Sequence, residues 1–193
     1  MNRISKVFIH GIAIAILLVF VAWTAQENIS TEKIPDYQDA SSYVRMAYHL
    51  YHHGIVSESL SEPPTPGNRR EPGFSAYLAM MMHFSPKLQM VPLAQMTEAE
   101  GGAVILRKLQ IPLLVLLAIG VWILAFVLTG RLTISYLAMG LMGFSQASLF
   151  TMNSLFRELF MGVVLLIVAL VLVYAIRTRK AAVFAGLGLA LGG

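Results

Sequence analysis

Long uncharged apolar runs alternate with short basic turns along most of this chain, and one long polar insertion interrupts them. The first run, "VFIHGIAIAILLVFVAWTA", covers 7–25. It is longer than the ~7–15 residues of a signal-peptide core and approaches the ~20 needed to cross a bilayer. It therefore predicts an uncleaved first spanning helix. Further runs at 111–129, 132–152 and 159–176 predict three more spans, the third softer and rich in Gly, Ser and Met. A fifth run, 181–193, is too short to cross. A helix ending inside lipid would leave its last carbonyls unsatisfied. The chain thus reads as the N-terminal portion of a longer all-α, multi-pass membrane protein.

The turns between runs carry a charge bias. Arg3 and Lys6, then Arg131, then Arg177, Arg179 and Lys180 fall on one side if the spans alternate. Cytoplasmic loops collect Lys and Arg, so this side is expected to be the cytoplasm. All 10 acidic residues then lie outside with the rest of the 14 basic ones. Ionisable chemistry is expected on the external, periplasmic face of an inner or plasma membrane.

The polar insertion, 26–110, is far longer than an ordinary connection of ~4–6 residues. Within it, Tyr43, Met46, Ala47, Leu50 and Tyr51 follow the i, i+3, i+4, i+7, i+8 spacing of one apolar helical face. This predicts a helix over 37–53, stopped by Gly54. A second helix is expected over 72–84, since Pro72 suits a first turn and Pro86 ends the run. Both are too short or too polar to span and are expected to lie along the membrane interface. Residues 85–102 read as irregular and mobile.

Composition narrows the classes. The chain is 57% hydrophobic and 12% charged, against ~25% charged in soluble domains. It has no cysteine, which removes disulfide and thiolate chemistry. No basic-aromatic surface pattern points to nucleic acid.

Several residues carry candidate chemistry. Asp36 and Asp39 open the first loop helix, where a capping arrangement explains them. Asp39 also shares a helical face with Tyr43 and Ala47, so it is a candidate general base beside an aromatic group. Arg69, Arg70 and Glu71 precede Pro72 and a helix N-terminus. Guanidinium groups and free N–H donors there suit a phosphate, while a solvated turn near headgroups explains them equally. Arg107 and Lys108 stand just before the second span, and Arg157-Glu158 before the fourth. That last pair reads either as a neutral hairpin closure or, through Glu158, as an acidic wall of an outer site. His49, His52 and His53 form an H-x-x-H-H cluster, but no carboxylate stands at a matching metal-ligand spacing. No cofactor is implied, and a metal ion has no support.

These residues, in this order, resemble the N-terminal part of GT-C glycosyltransferases, in the branch of protein mannosyltransferases and lipid A aminoarabinose transferases. The resemblance rests on Asp39, Tyr43 and Ala47 at four-residue steps, on Arg70-Glu71-Pro72-Gly73-Phe74 after a Pro-rich turn, and on Arg107 with Gln110. Glu158 in "NSLFRELF" and the small-residue run after Arg177 complete it. Ala40 follows Asp39 where some relatives carry an Asp-Glu pair. The resemblance implies a GT-C-like helix bundle with a long outer loop carrying two interfacial helices. It implies transfer of a sugar from a polyprenyl-phosphate donor to the hydroxyl of a lipid, glycan or protein acceptor. Asp39 would be the base. Arg70, supported by Arg69 and oriented by Glu71, would hold the donor phosphate across a sugar-sized gap from Asp39, with Tyr43 and Glu158 as further substrate-binding residues. A flippase or transporter subunit would need ionisable groups inside the spans, and no Asp, Glu, Lys or Arg is found there. A non-catalytic membrane scaffold would not need the Asp-Arg arrangement.

Overall fold

A computed structural model describes residues 3–35, 39–67 and 70–178, with side chains from residue 8 onward. Most of the described residues are helical, with no strand among them. The helices are α1 (Arg3–Glu27), α2 (Asp39–His53), α3 (Pro72–Met82), α4 (Pro86–Gln89), α5 (Val104–Lys108), α6 (Ile111–Thr129), α7 (Leu132–Phe144), α8 (Gln146–Asn153) and α9 (Glu158–Thr178). They divide between two compact units. A span unit takes residues 3–23, 113–148 and 158–178, and a loop unit takes 24–35, 39–67, 70–112 and 149–157.

Three stretches in the described residues are long and apolar enough to cross a membrane: Phe8–Glu27, Ala99–Thr129 and Glu158–Thr178. In the second of these, α6 alone has 19 residues and no charge. At 1.5 Å per residue it is about 28 Å long, close to the ~30 Å hydrocarbon core. The chain is therefore consistent with an integral membrane protein. The fifth run, 181–193, lies outside the described residues.

The expected continuous span over 132–152 is corrected. The backbone breaks at Ser145, whose φ of −67° and ψ of 137° are extended, not helical. The Ser145 hydroxyl accepts a hydrogen bond from the Ser148 amide at 3.1 Å, as an N-cap does. It ends α7 and starts α8. The 13 residues of α7 reach only about 20 Å.

Close approach in the span unit uses glycine. A Cβ on Gly120 would lie 2.1 Å from Leu166 Cδ2, and one on Gly143 would lie 2.4 Å from Val21 Cγ2. These notches let α6 approach α9, and α7 approach α1. Small residues serve helix contacts in lipid, where apolar burial between helices has little driving force.

The loop unit has a buried core instead. Ala40, Tyr43, Val44, Met46 and Ala47 of α2 are buried, as are Phe74, Leu78 and Met82 of α3. Asp39 lies beside Arg70, Tyr43 beside Phe74, and Tyr51 beside His83. These pairs advance in step, so α2 and α3 run parallel, side by side. Gly54 follows α2 at φ +67° and donates its N–H to Leu50 O at 3.1 Å. That is a left-handed helix end suited to glycine.

The α3 run ends at Met82, two residues short of the expected 84. Nor is 85–102 irregular. It folds into α4, a 3-10 turn at Leu93–Gln95 and a π-helical turn at Ala99–Ala103. Leu88, Met96 and Ala103 are fully buried. Backbone approach explains the two adjacent glycines. A Cβ on Gly101 would sit 2.0 Å from Gln95 O, and one on Gly102 would sit 2.5 Å from Met96 O.

Candidate functional site

The parallel pairing of α2 and α3 brings their N-terminal ends together. Asp39 is the first residue of α2. Glu71 is the extended residue before α3, with Pro72 in the first turn. Arg70 is pinned from behind: its backbone N–H donates to Glu58 Oε1 at 3.1 Å. Glu58 in turn belongs to a loop closed on itself, where the Glu58 amide donates to Gly67 O at 3.2 Å and the Ser57 hydroxyl to Thr65 O at 2.5 Å.

From that position the Arg70 guanidinium donates through Nη2 to Asp39 Oδ1 at 2.5 Å. The neighbouring residue makes a second ion pair, with Arg157 Nη1 donating to Glu71 Oε2. Two carboxylates and two guanidiniums thus alternate along one short arc. Asp39, Arg70 and Arg157 are roughly half exposed, and Glu71 is mostly exposed. Such pairs are worth little to stability.

Tyr43 forms the buried floor beneath them. It is packed edge-to-face on Phe74, with ring centroids 5.3 Å apart and planes at 77°. Burial raises its hydroxyl pKa, and the nearby Arg157 guanidinium opposes that rise. Glu71 is held below the ordinary carboxylate range by its own backbone amide and then by Arg157. It therefore stays ionised, an acceptor that fixes Arg157 in place. Deeper in the unit, Tyr77 donates its hydroxyl to Leu109 O at 2.5 Å, and burial pushes its pKa up to about 12.

Of the residues the sequence singled out, Asp39, Arg70, Glu71 and Tyr43 come together. Asp39 and Arg70 meet directly and not across the expected sugar-sized gap. Asp36 and Arg69 lie outside the described residues. Glu158 opens α9 as an exposed residue of the span unit. Its neighbour Arg157 is the residue that joins the arc. The missed signal was its placement: an arginine just outside an apolar helix long enough to span.

Arg107 also proves to be more than a flank. It is buried, donating through Nε to Asn153 O at 2.7 Å and through Nη1 to Ser30 O at 2.9 Å and Glu32 O at 2.5 Å. Asn153 answers with Oδ1 on the Ser30 amide, at 2.7 Å, and Nδ2 on Asn28 O, also at 2.7 Å. This clamp ties the loop's first residues to α5 and α8.

The histidine cluster is an aromatic stack. The His52 ring lies 4.3 Å from that of Tyr48 and 4.8 Å from that of Tyr51, centroid to centroid. The buried His49 shares Nε2 with Ser59 O at 2.9 Å. Among the described residues, no group of three or more His, Asp or Glu side chains is placed to hold a metal ion.

No protein-family model, no characterised protein and no solved structure matches this chain.

Proposed function

We propose that this chain carries the reaction site of an integral membrane glycosyltransferase, one that moves a sugar from a polyprenyl-phosphate donor to an acceptor hydroxyl at the external face. The observation that supports it most is the Asp39–Arg70 pair, seated where two helix N-termini meet. A carboxylate and a guanidinium in direct reach are the two groups this reaction asks for. The acceptor hydroxyl gives its proton to Asp39 while its oxygen attacks the anomeric carbon. The bond from that carbon to the phosphate oxygen breaks, and the electron pair leaves on the phosphate. Arg70 stabilises the charge that appears there. In this reading the donor phosphate competes with Asp39 for the guanidinium, and the exchange frees the carboxylate toward the acceptor.

Asp39→Asn keeps the shape and removes the basicity. Transfer is expected to fall by at least ~10²-fold, with donor binding largely kept. Arg70→Ala is expected to weaken donor binding as well as rate, because a phosphate contact acts in both states. Near-normal turnover by the Asn variant, measured with a radiolabelled polyprenyl-phosphate sugar, removes Asp39 as the base. Asp36 or Glu158 is then the base to test, whereas absence of any transfer by the unaltered protein favours the non-catalytic membrane scaffold.

A further inference from the structure

The loop unit hides most of the apolar surface that its sequence displays; Leu60 and Phe150 are exposed singly, and three more large apolar residues gather at one corner. In α3, Phe74, Leu78, Ala79 and Met82 are buried within the unit. They are not available to lie on a lipid surface. The turn from α3 into α4 does the opposite. Phe84 is 75% exposed, Met90 78% and Met80 52%. Exposure this high at three large apolar residues in eleven positions is unlike the rest of the unit.

The corner is firmly held. Gln89 Nε2 donates to Met82 O at 3.1 Å and to His83 O at 3.2 Å, so α4 folds back on the end of α3. Met82 and Leu88 are fully buried and root the turn from inside. The His83 ring packs against Tyr51 at 4.7 Å between centroids. The exposed side chains are thus displayed on a fixed support.

Charge points to the partner. No acidic residue occurs from 72 to 97, although Asp and Glu are frequent on either side. The corner carries one exposed lysine, Lys87. Apolar side chains with a lysine beside them suit acyl chains under anionic headgroups, with the lysine stem lying along lipid and its ammonium among the phosphates. The same chain brings three apolar helices long enough to cross a bilayer, so that surface is at hand.

We propose that the α3–α4 corner is a bilayer-inserting edge, with Phe84, Met90 and Met80 entering the acyl region and Lys87 meeting anionic headgroups. It rests on the loop unit alone and holds whether or not Asp39 is a catalytic base. Because α2 and α3 are parallel, the edge lies at the end of the pair opposite the Asp39–Arg70 contact. The edge and the ion pairs then stand at opposite ends of the α2–α3 pair.

The chain has no cysteine, so single labels are simple to place. Phe84→Cys, Met90→Cys and, as a control in the exposed polar loop, Thr65→Cys would each carry a nitroxide. The full chain would be reconstituted in nanodiscs of neutral lipid and of neutral lipid mixed with phosphatidylglycerol. Collisions with oxygen and with a water-soluble nickel chelate report depth. Labels at 84 and 90 are expected to favour oxygen, at a depth of about 5–10 Å below the headgroups, and the label at 65 to favour nickel. Lys87→Glu is expected to raise the label at 84 in the anionic discs and leave it unchanged in neutral ones. Nickel collision at 84 and 90 equal to that at 65 overturns the proposal, because the corner is then in water. Low collision with both reagents also overturns it, because protein then covers the corner. Phe84 and Met90 are exposed, so these variants leave the buried roots Met82 and Leu88 untouched.

Discussion

The two units solve the same problem, satisfying an apolar chain, in opposite directions. In the span unit the large side chains face outward: Phe8, Ile16, Val19, Leu137, Leu141 and Leu165 are among the exposed. Few polar contacts tie its helices together. His10 Nδ1 and the Tyr136 hydroxyl share one at 3.2 Å, and Arg177 reaches Val127 O. In the loop unit most large side chains face inward, the α3–α4 corner, Leu60 and Phe150 being the exceptions, and side-chain-to-backbone hydrogen bonds lace the connections. A lipid solvent makes outward-facing leucine costless and leaves packing and backbone hydrogen bonds to set the helix contacts. Water reverses both preferences. The contrast supports reading the first unit as lipid-embedded, and it says where each kind of substitution will hurt.

The largest effect is expected in the loop unit, at Arg107. Its guanidinium satisfies three backbone carbonyls in a buried setting. Arg107→Ala leaves those carbonyls without a donor and opens a gap, at a cost of about 3–5 kcal/mol. Arg107→Lys keeps the charge and loses the fork, so it is expected to recover only part of this. Limited proteolysis in nanodiscs reads the outcome. The loop unit should become sensitive between 24 and 110 while the span helices stay protected. Unchanged protection would mean that the clamp does not hold the loop unit together.

What the sequence made legible follows the same division. The 19 uncharged residues of α6 could be read directly, because length and charge alone decide a span. The α2 helix was legible from its five-position apolar face, and the Asp39 and Arg70 candidates from chemistry beside a helix start. The break at Ser145 was not, since hydropathy averaged over 132–152 hides one hydroxyl acting as a cap. The order in 85–102 was not legible either. It depends on Gly101 and Gly102 meeting the backbone of Gln95 and Met96, a tertiary fact with no periodic signature. Arg157 reaches Glu71 over 86 residues, and no spacing rule joins residues so far apart. Glu158 drew attention because it is acidic, while the pairing belonged to its neighbour.

A smaller effect, of a different kind, is expected in the span unit. Gly120→Leu drives a side chain into Leu166, already 2.1 Å from where a Cβ would sit. Overpacking of this sort costs about 1–3 kcal/mol. The helices have no need to melt in lipid, because their hydrogen bonds are internal. They are expected to separate instead. Helical circular dichroism should stay level, while cross-linking between cysteines placed at Leu117 and Gly162, which face each other across the same contact, should fall. Loss of helical signal with cross-linking intact would show the two units responding alike, and the contrast between them would fail.

The smallest effect is expected at Glu71, where a loop-unit side chain sits at the surface and water screens it. Its pKa lies below the ordinary glutamate value of 4.5, first through its own backbone amide and then through Arg157. A carboxylate depressed in the folded state contributes stability that is fully present above its unfolded value. That contribution is lost as pH falls through the folded one. The window therefore opens at about pH 4.5 and runs downward; neutral pH lies outside it. Glu71→Gln removes the titration and keeps the size. Wild type and variant should differ slightly and constantly in thermal midpoint from pH 7 to pH 5, then converge as the glutamate becomes protonated. Added salt should shrink the difference, since exposed charges are screened within about 10 Å at 0.1 M. The Arg107 defect should not respond to salt in this way, because its hydrogen-bond partners are uncharged backbone carbonyls. A Glu71 difference that persists at pH 3, or that resists salt, would place the Glu71–Arg157 pair with the buried clamp, and not at the open rim where its exposure puts it.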